Sequence, residues 1–163
     1  MRNNPGHSGS TERTGEERPM FAGKGYNQVE VGQSFSSSLT ITEAHLVLAA
    51  GLFGDFNPLH VDEEHARKSR YGGRILHGPF TSALVSAPVG MFFHTTAIAY
   101  MEHHCKFKAP VHPGDTLTTR WTITGKLDKP KYKGGIVVLE CDCRNQTGVV
   151  VVEAHGKILV ADV

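Results

Sequence analysis

Cysteine is scarce in this chain: Cys105, Cys141 and Cys143 are the three present. An odd count with no CxxC pair argues against a disulfide framework, suits a reducing compartment such as the cytoplasm, and leaves the thiols as small buried apolar side chains. Net charge is nearly absent too, since 17 Lys+Arg against 16 Asp+Glu leave a formal +1. Nothing in that balance calls for nucleic acid or an anionic membrane surface, so a small, locally recognised ligand is the expectation. No apolar run approaches the roughly 20 residues that cross a bilayer. Residues 1–19 lack the apolar segment of a secretory signal, and Glu12, Glu16 and Glu17 speak against a transit peptide. They read as a flexible polar tail ahead of one domain over residues 20–163. There is no internal repeat and no HExxH motif.

What is present begins with Phe35, Leu39 and Ile41, alternating through a short strand. Thr42 then reads as the N-cap of an amphipathic helix, Glu43 to Phe53, ended by Gly54. Asp62 caps a short charged helix, Glu63 to Ser69. Pro79 to Phe93 carries no charge and many small residues, the pattern of a helix buried on every side. Pro79 suits the first helical position, and Pro88 should kink the helix or end its regular part near Ala87. After residue 95 the period becomes two. Met101, His103, Cys105 and Phe107 share one face; Leu117, Thr119, Trp121 and Ile123 a second; Val137, Leu139, Cys141 and Cys143 a third. Breaks at Pro110 to Asp115, Gly125 to Gly135 and Asn145 to Gly148 are short enough for antiparallel neighbours, with a last strand from Val149 to Val160. The sum is α+β, a long antiparallel sheet curled around one buried helix.

The most informative run is Gly54-Asp55-Phe56-Asn57-Pro58-Leu59-His60-Val61-Asp62. Asp55 and His60 are five residues apart, about 140 degrees out of phase on a helix and on opposite faces of a strand. Pro58 fixes its own φ and pushes Asn57 out of the helical region, so the segment turns and can aim both side chains at one point. Asp and Asn beside a proline are also the commonest turn formers, and a lone histidine is usually structural. His103 and His104 are consecutive on a strand and point to opposite faces, and His60 and His65 lack helical ligand spacing, so no metal site is expected. Lys106, Lys108 and Arg120 either meet phosphates or form a solvated face.

Three blocks resemble the MaoC-like hydratases, a family that includes the (R)-specific enoyl-CoA hydratases. They are Gly54 to Asp62, then Gly73-Arg-Ile-Leu-His77-Gly78 ahead of the apolar helix, then Phe107-Lys-Ala-Pro-Val-His-Pro-Gly-Asp115 between two strands. The resemblance implies a hot-dog fold, in which the antiparallel sheet wraps a central helix, and a homodimer or larger homo-oligomer. It implies an acyl-coenzyme A or acyl carrier protein thioester as substrate and no separate cofactor. Pro79 and Pro88 depart from the ordinary helix formers usual in the family, which bears on the shape of the acyl pocket.

The implied reaction is reversible hydration of a trans-2-enoyl thioester to a (3R)-3-hydroxyacyl thioester. Asp55 and His60 would hold the water as a coupled acid-base pair, with the assignment of acid and base left open. The backbone N–H of Gly78, at a helix N-terminus, would face the thioester oxygen. Asn57 would shape the turn, His77 would support Gly78, and Ser86 matches by spacing a family serine that lines the site. Two other readings stay open: a hot-dog thioesterase, disfavoured because Pro79 to Phe93 contains no Asp or Glu, and a non-catalytic subunit that binds acyl thioester.

Overall fold

The computed structural model describes residues 22–163, so the tail expected over residues 1–19 lies outside the described residues. Five antiparallel strands form one sheet: β1 (Ser34–Thr40), β2 (Ala97–Phe107), β3 (Thr116–Asp128), β4 (Gly134–Arg144) and β5 (Val150–Ala161). Their order is β1-β3-β4-β5-β2. The helices are α1 (Glu43–Phe53), the single turn α2 (Pro58–Val61), α3 (Glu63–Lys68) and the long α4 (Gly78–Phe93). This is the expected hot-dog arrangement, a sheet packed against one long central helix.

The core lies between α4 and the sheet. Thr81, Val85, Val89 and Phe93 recur every four residues on one face of α4 and are buried. Opposite them Leu117, Thr119, Trp121 and Ile123 on β3, and Val137, Leu139, Cys141 and Cys143 on β4, are buried as their alternation predicts. Trp121 anchors the layers, fully buried with its indole N–H donating to the Val85 carbonyl at 2.9 Å. Phe35 of β1 stacks on Phe92 with ring centroids 4.0 Å apart.

Several expectations need correction. α4 is buried on one side only: Pro79, Ala83, Ala87, Gly90 and Met91 are exposed, because the sheet covers a single face and the other is small-residue surface. Pro88 neither ends nor limits the helix, which runs on to Phe93. α1 has the expected limits, with Thr42 before it and Gly54 in the left-handed region after it (φ 68°). Its faces are not divided by polarity, however. Leu46, Ala49 and Ala50 are buried while Val47, Leu48, Leu52 and Phe53 are exposed. Leu39 of β1 is likewise exposed.

In β2 the register shifts between Tyr100 and Glu102, and that irregularity takes Met101 off the face it was expected to share. Tyr100 replaces it, its hydroxyl meeting His103 Nδ1 at 2.9 Å. The Gly125 to Gly135 break is shorter than expected, since β3 runs to Asp128 and β4 begins at Gly134. The Pro110 to Asp115 link does not join neighbours: β2 and β3 are separated by β5 and β4, so the link crosses the end of the sheet. There it docks on β1, with the Ile41 N–H donating to the Asp115 carbonyl and the Gly114 N–H to the Ile41 carbonyl, both at 2.7 Å. Gly114 holds φ +94°, which L side chains rarely adopt, so the Pro-Gly-Asp turn requires it.

Candidate active site

The segment after α1 turns because of its own side chains. Asp55 Oδ1 accepts the Asn57 N–H at 3.1 Å, and Asn57 Oδ1 accepts the Leu59 N–H at 3.0 Å, capping α2. Pro58 then occupies the first helical position, where the absent N–H costs nothing. That one turn of helix swings His60 back toward Asp55. His60 Nε2 lies 3.8 Å from Asp55 Oδ2, with the imidazole side chain 13 % exposed and the carboxylate 52 %.

Hydrogen bonding fixes the tautomer of His60. Nδ1 is 2.8 Å from the Ile75 carbonyl oxygen, which can only accept, so Nδ1 carries a proton and Nε2 is the ring nitrogen turned toward Asp55. His77 caps α4 and stacks on His60 with ring centroids 3.7 Å apart. Its Nε2 donates to the Asp55 carbonyl at 2.9 Å, so it ties the start of α4 to the Asp55 turn instead of bonding to Gly78. His77 Nδ1 is buried without a hydrogen-bond partner among the described residues. Such an unmet acceptor costs about 1–3 kcal/mol, a burden tolerated mainly where geometry serves function.

A cleft of about 360 Å³ connects His60 to the start of α4, where Gly78, Thr81 and Phe107 line it. Pro79 has no N–H, so Gly78 and Phe80 supply the first-turn donors that lack an intrahelical acceptor. A Cβ built on Gly78 would meet the Phe107 ring at 3.4 Å, so the bare glycine keeps that part of the cleft open. The wall is held from outside: the Leu76 N–H donates to the Val111 carbonyl (2.8 Å), and the Ile75 N–H to the Leu59 carbonyl (3.1 Å). His112 Nδ1 adds a bond to the Arg74 carbonyl at 3.0 Å. Arg74 itself bridges Glu43 and Glu63, and its hydrogen bond holds the Glu63 carboxyl below the usual carboxylate range.

The structure thus brings Asp55, Asn57, His60 and His77 into contact with one another, and of the expected residues His60 and Gly78 line the cleft itself. It does not bring in Ser86, whose hydroxyl donates to the Ala83 carbonyl at 2.8 Å and which lies in a separate groove beside Ala97 to Tyr100. Arg70 and Tyr71 line the cleft and were missed by sequence reasoning. They lie between two recognised blocks with no motif of their own. Of the three candidate cations only Lys108 reaches the cleft. Lys106 and Arg120 alternate with Phe107 and Trp121, which face α4, and so point from the outer side of the sheet. A second polar cluster lies between α4 and β2: His103 Nε2 meets Ser82 Oγ at 2.9 Å and Cys105 Sγ at 3.1 Å. Burial pushes the His103 imidazole down.

Asp55, His60 and His77 each bring one potential ligand atom within 4.8 Å of the others. The Nε2 proton of His77 is committed to the Asp55 carbonyl, whereas Asp55 Oδ2 and His60 Nε2 face each other across a gap able to take a hydrogen-bonded water. Among the described residues no helix is long and apolar enough to cross a membrane.

Comparison with known proteins finds relatives over most of the chain. The MaoC like domain family matches residues 26–142. An (R)-specific enoyl-CoA hydratase of Rhodospirillum rubrum is 35 % identical over 135 residues, covering 83 % of this chain and 90 % of that protein. Among solved structures, an R-hydratase of Pseudomonas aeruginosa superposes with a TM-score of 0.78 at 30 % identity, covering 88 % of this chain and 89 % of the other. An (R)-hydratase from A. caviae gives 0.72 at 29 % identity, covering 81 % and 97 %.

Proposed function

The chain belongs to the MaoC-like domain family, and on that premise we propose that its cleft adds water reversibly across the double bond of trans-2-enoyl thioesters, giving (3R)-3-hydroxyacyl thioesters. The observation that supports this reading is the facing pair, Asp55 Oδ2 and His60 Nε2 at 3.8 Å, whose His60 lines the same cleft as Gly78 at the start of α4.

A water held between the two groups has acceptors on both sides. As its oxygen bonds to C3 of the enoyl group, one proton passes to the pair and the C2–C3 π electrons move toward the thioester carbonyl. The pair then returns a proton to C2, so the enzyme ends as it began and the substrate has gained one water. The proton spends the interval on Asp55 and His60 jointly, Nε2 and the carboxylate being alternative seats for it. Acid-base help of this kind contributes roughly 3–5 kcal/mol. Charge developing on the thioester oxygen is met by the Gly78 N–H at the positive end of α4, where one donor contributes roughly 3–4 kcal/mol.

Arg70 and Lys108 at the same cleft support a carrier that bears phosphate, coenzyme A or acyl carrier protein, and no other cofactor is needed. Exposed Ile98, Tyr100 and Met101 on the edge strand β2 support a homodimer, and three free thiols suit the cytoplasm. Thioester hydrolysis is disfavoured because α4 carries no carboxylate. The test is incubation with crotonyl-CoA. Loss of the enoyl absorbance and a product of R configuration are expected, whereas release of free thiol, or no reaction with either carrier, would overturn the reading.

A further inference from the structure

The sheet has a second face, turned away from α4, and its edge bears a cluster that the cleft chemistry does not use. Glu102 and His104 are two residues apart on β2 and so share that face. His104 is the register partner of His155 on β5, and their imidazoles stack with centroids 4.5 Å apart at 9°. Glu102 Oε1 lies 3.6 Å from His104 Nε2 and 3.9 Å from His155 Nδ1. The other carboxylate oxygen is engaged by Lys157 Nζ at 2.6 Å, which orients Oε1 toward the two rings. The three potential ligand atoms all fall within 4.8 Å of one another.

We propose that Glu102, His104 and His155 form a binding site for one divalent transition-metal ion of the zinc class. Two imidazoles and one carboxylate are the donor set that such an ion takes when it keeps a fourth position for water, while calcium and magnesium prefer oxygen alone. Bond lengths near 2.0–2.2 Å put two ligands of a tetrahedral ion roughly 3.4 Å apart, so the two carboxylate–imidazole separations need to close by only a few tenths of an ångström, while the stacked rings must rotate out of parallel for both lone pairs to meet one ion. All three side chains are partly exposed and free to make that adjustment. Lys157 adds a positive charge beside the ion, which weakens binding.

Such an ion would clamp the edge strand β2 to β5. β2 carries Phe107 to the cleft wall, so the clamp acts behind the cleft and is independent of whether the cleft hydrates enoyl thioesters. The experiment is a zinc chloride titration of the full chain, stripped with chelator, by calorimetry. His104→Ala, His155→Ala and Glu102→Gln are compared with His65→Ala as a control at another exposed histidine, and circular dichroism verifies each fold. The wild type and His65→Ala should bind one equivalent that both His104→Ala and His155→Ala lose or bind at least tenfold more weakly, with Glu102→Gln weakened. Cobalt should give the intense visible bands of a tetrahedral ion in the wild type only when His104 and His155 are both present. Absence of micromolar zinc binding in the wild type, or binding that survives both histidine changes, would overturn the site.

Discussion

Replacing Asp55 with asparagine separates the chemistry from the fold. The side chains are nearly isosteric, and the amide oxygen can still accept the Asn57 N–H that the carboxylate accepts at 3.1 Å, so the turn before α2 is retained. Asp55 is half exposed and makes no other side-chain hydrogen bond among the described residues, so the stability change should stay within about 1 kcal/mol. What disappears is a negative charge 3.8 Å from His60 Nε2. A unit charge pair at that distance is worth about 1 kcal/mol in water and about 4 kcal/mol in a partly buried setting, and solvent screening puts the free enzyme toward the low end. A bound thioester excludes that solvent and moves the value up, just when an imidazolium or a neutral acid must form. Removing the carboxylate also deletes one of the two seats for the proton. Together these predict at least a hundredfold loss in kcat/KM, about 2.7 kcal/mol of transition-state stabilisation. Crotonyl-CoA hydration measured beside thermal melting and oligomeric state checks it. A folded Asp55→Asn protein working within about threefold of the wild type would remove Asp55 from the mechanism.

The same logic applies elsewhere in the molecule. Gly78→Val should abolish activity, because its branched carbons extend past a Cβ already 3.4 Å from the Phe107 ring; full activity in a folded variant would place the thioester elsewhere. Burial and the hydrogen bond to Asp128 push the Tyr26 phenol up to about 12, against about 10 unfolded. The neutral phenol therefore contributes stability that is complete below pH 10 and is lost as pH rises toward 12, and denaturant melts of Tyr26→Phe should lack that alkaline decline. Burial raises the thiols of Cys141 and Cys143, so alkylation of the native protein followed by mass spectrometry should mark only Cys105 among the three.

Much of this architecture was written in local signals. Thr42 and Gly54 bracket α1 because each end of a helix leaves backbone groups that only particular residues satisfy. The alternation along β3 and β4 named their buried faces because both strands lie in the sheet interior with one side on the core. The Asp55 to His60 turn was legible for the same reason: Asn57 and Pro58 impose it within five residues. Strand order was not legible, since the β2 to β3 link is as short as a hairpin loop yet crosses two other strands. Met101 was misplaced because an irregular register shifts the phase of a strand without leaving a mark in its residue types. α4 was read as buried all round because small apolar residues suit a covered helix, whereas in a single chain the sheet reaches only one of its sides. Ser86 was placed by spacing alone, and its groove opens on β2 instead of the cleft.

The bond from the Leu76 amide to the Val111 carbonyl has a consequence for the order in which this molecule becomes competent. Asp55, His60 and Gly78 all precede the sheet strands β2 to β5, while on the facing wall Phe107 ends β2 and Val111 comes with the crossing connection after it. Without that connection the reactive groups lack their facing wall. Catalysis should accordingly be the last property recovered on dilution from denaturant, trailing the return of helical signal.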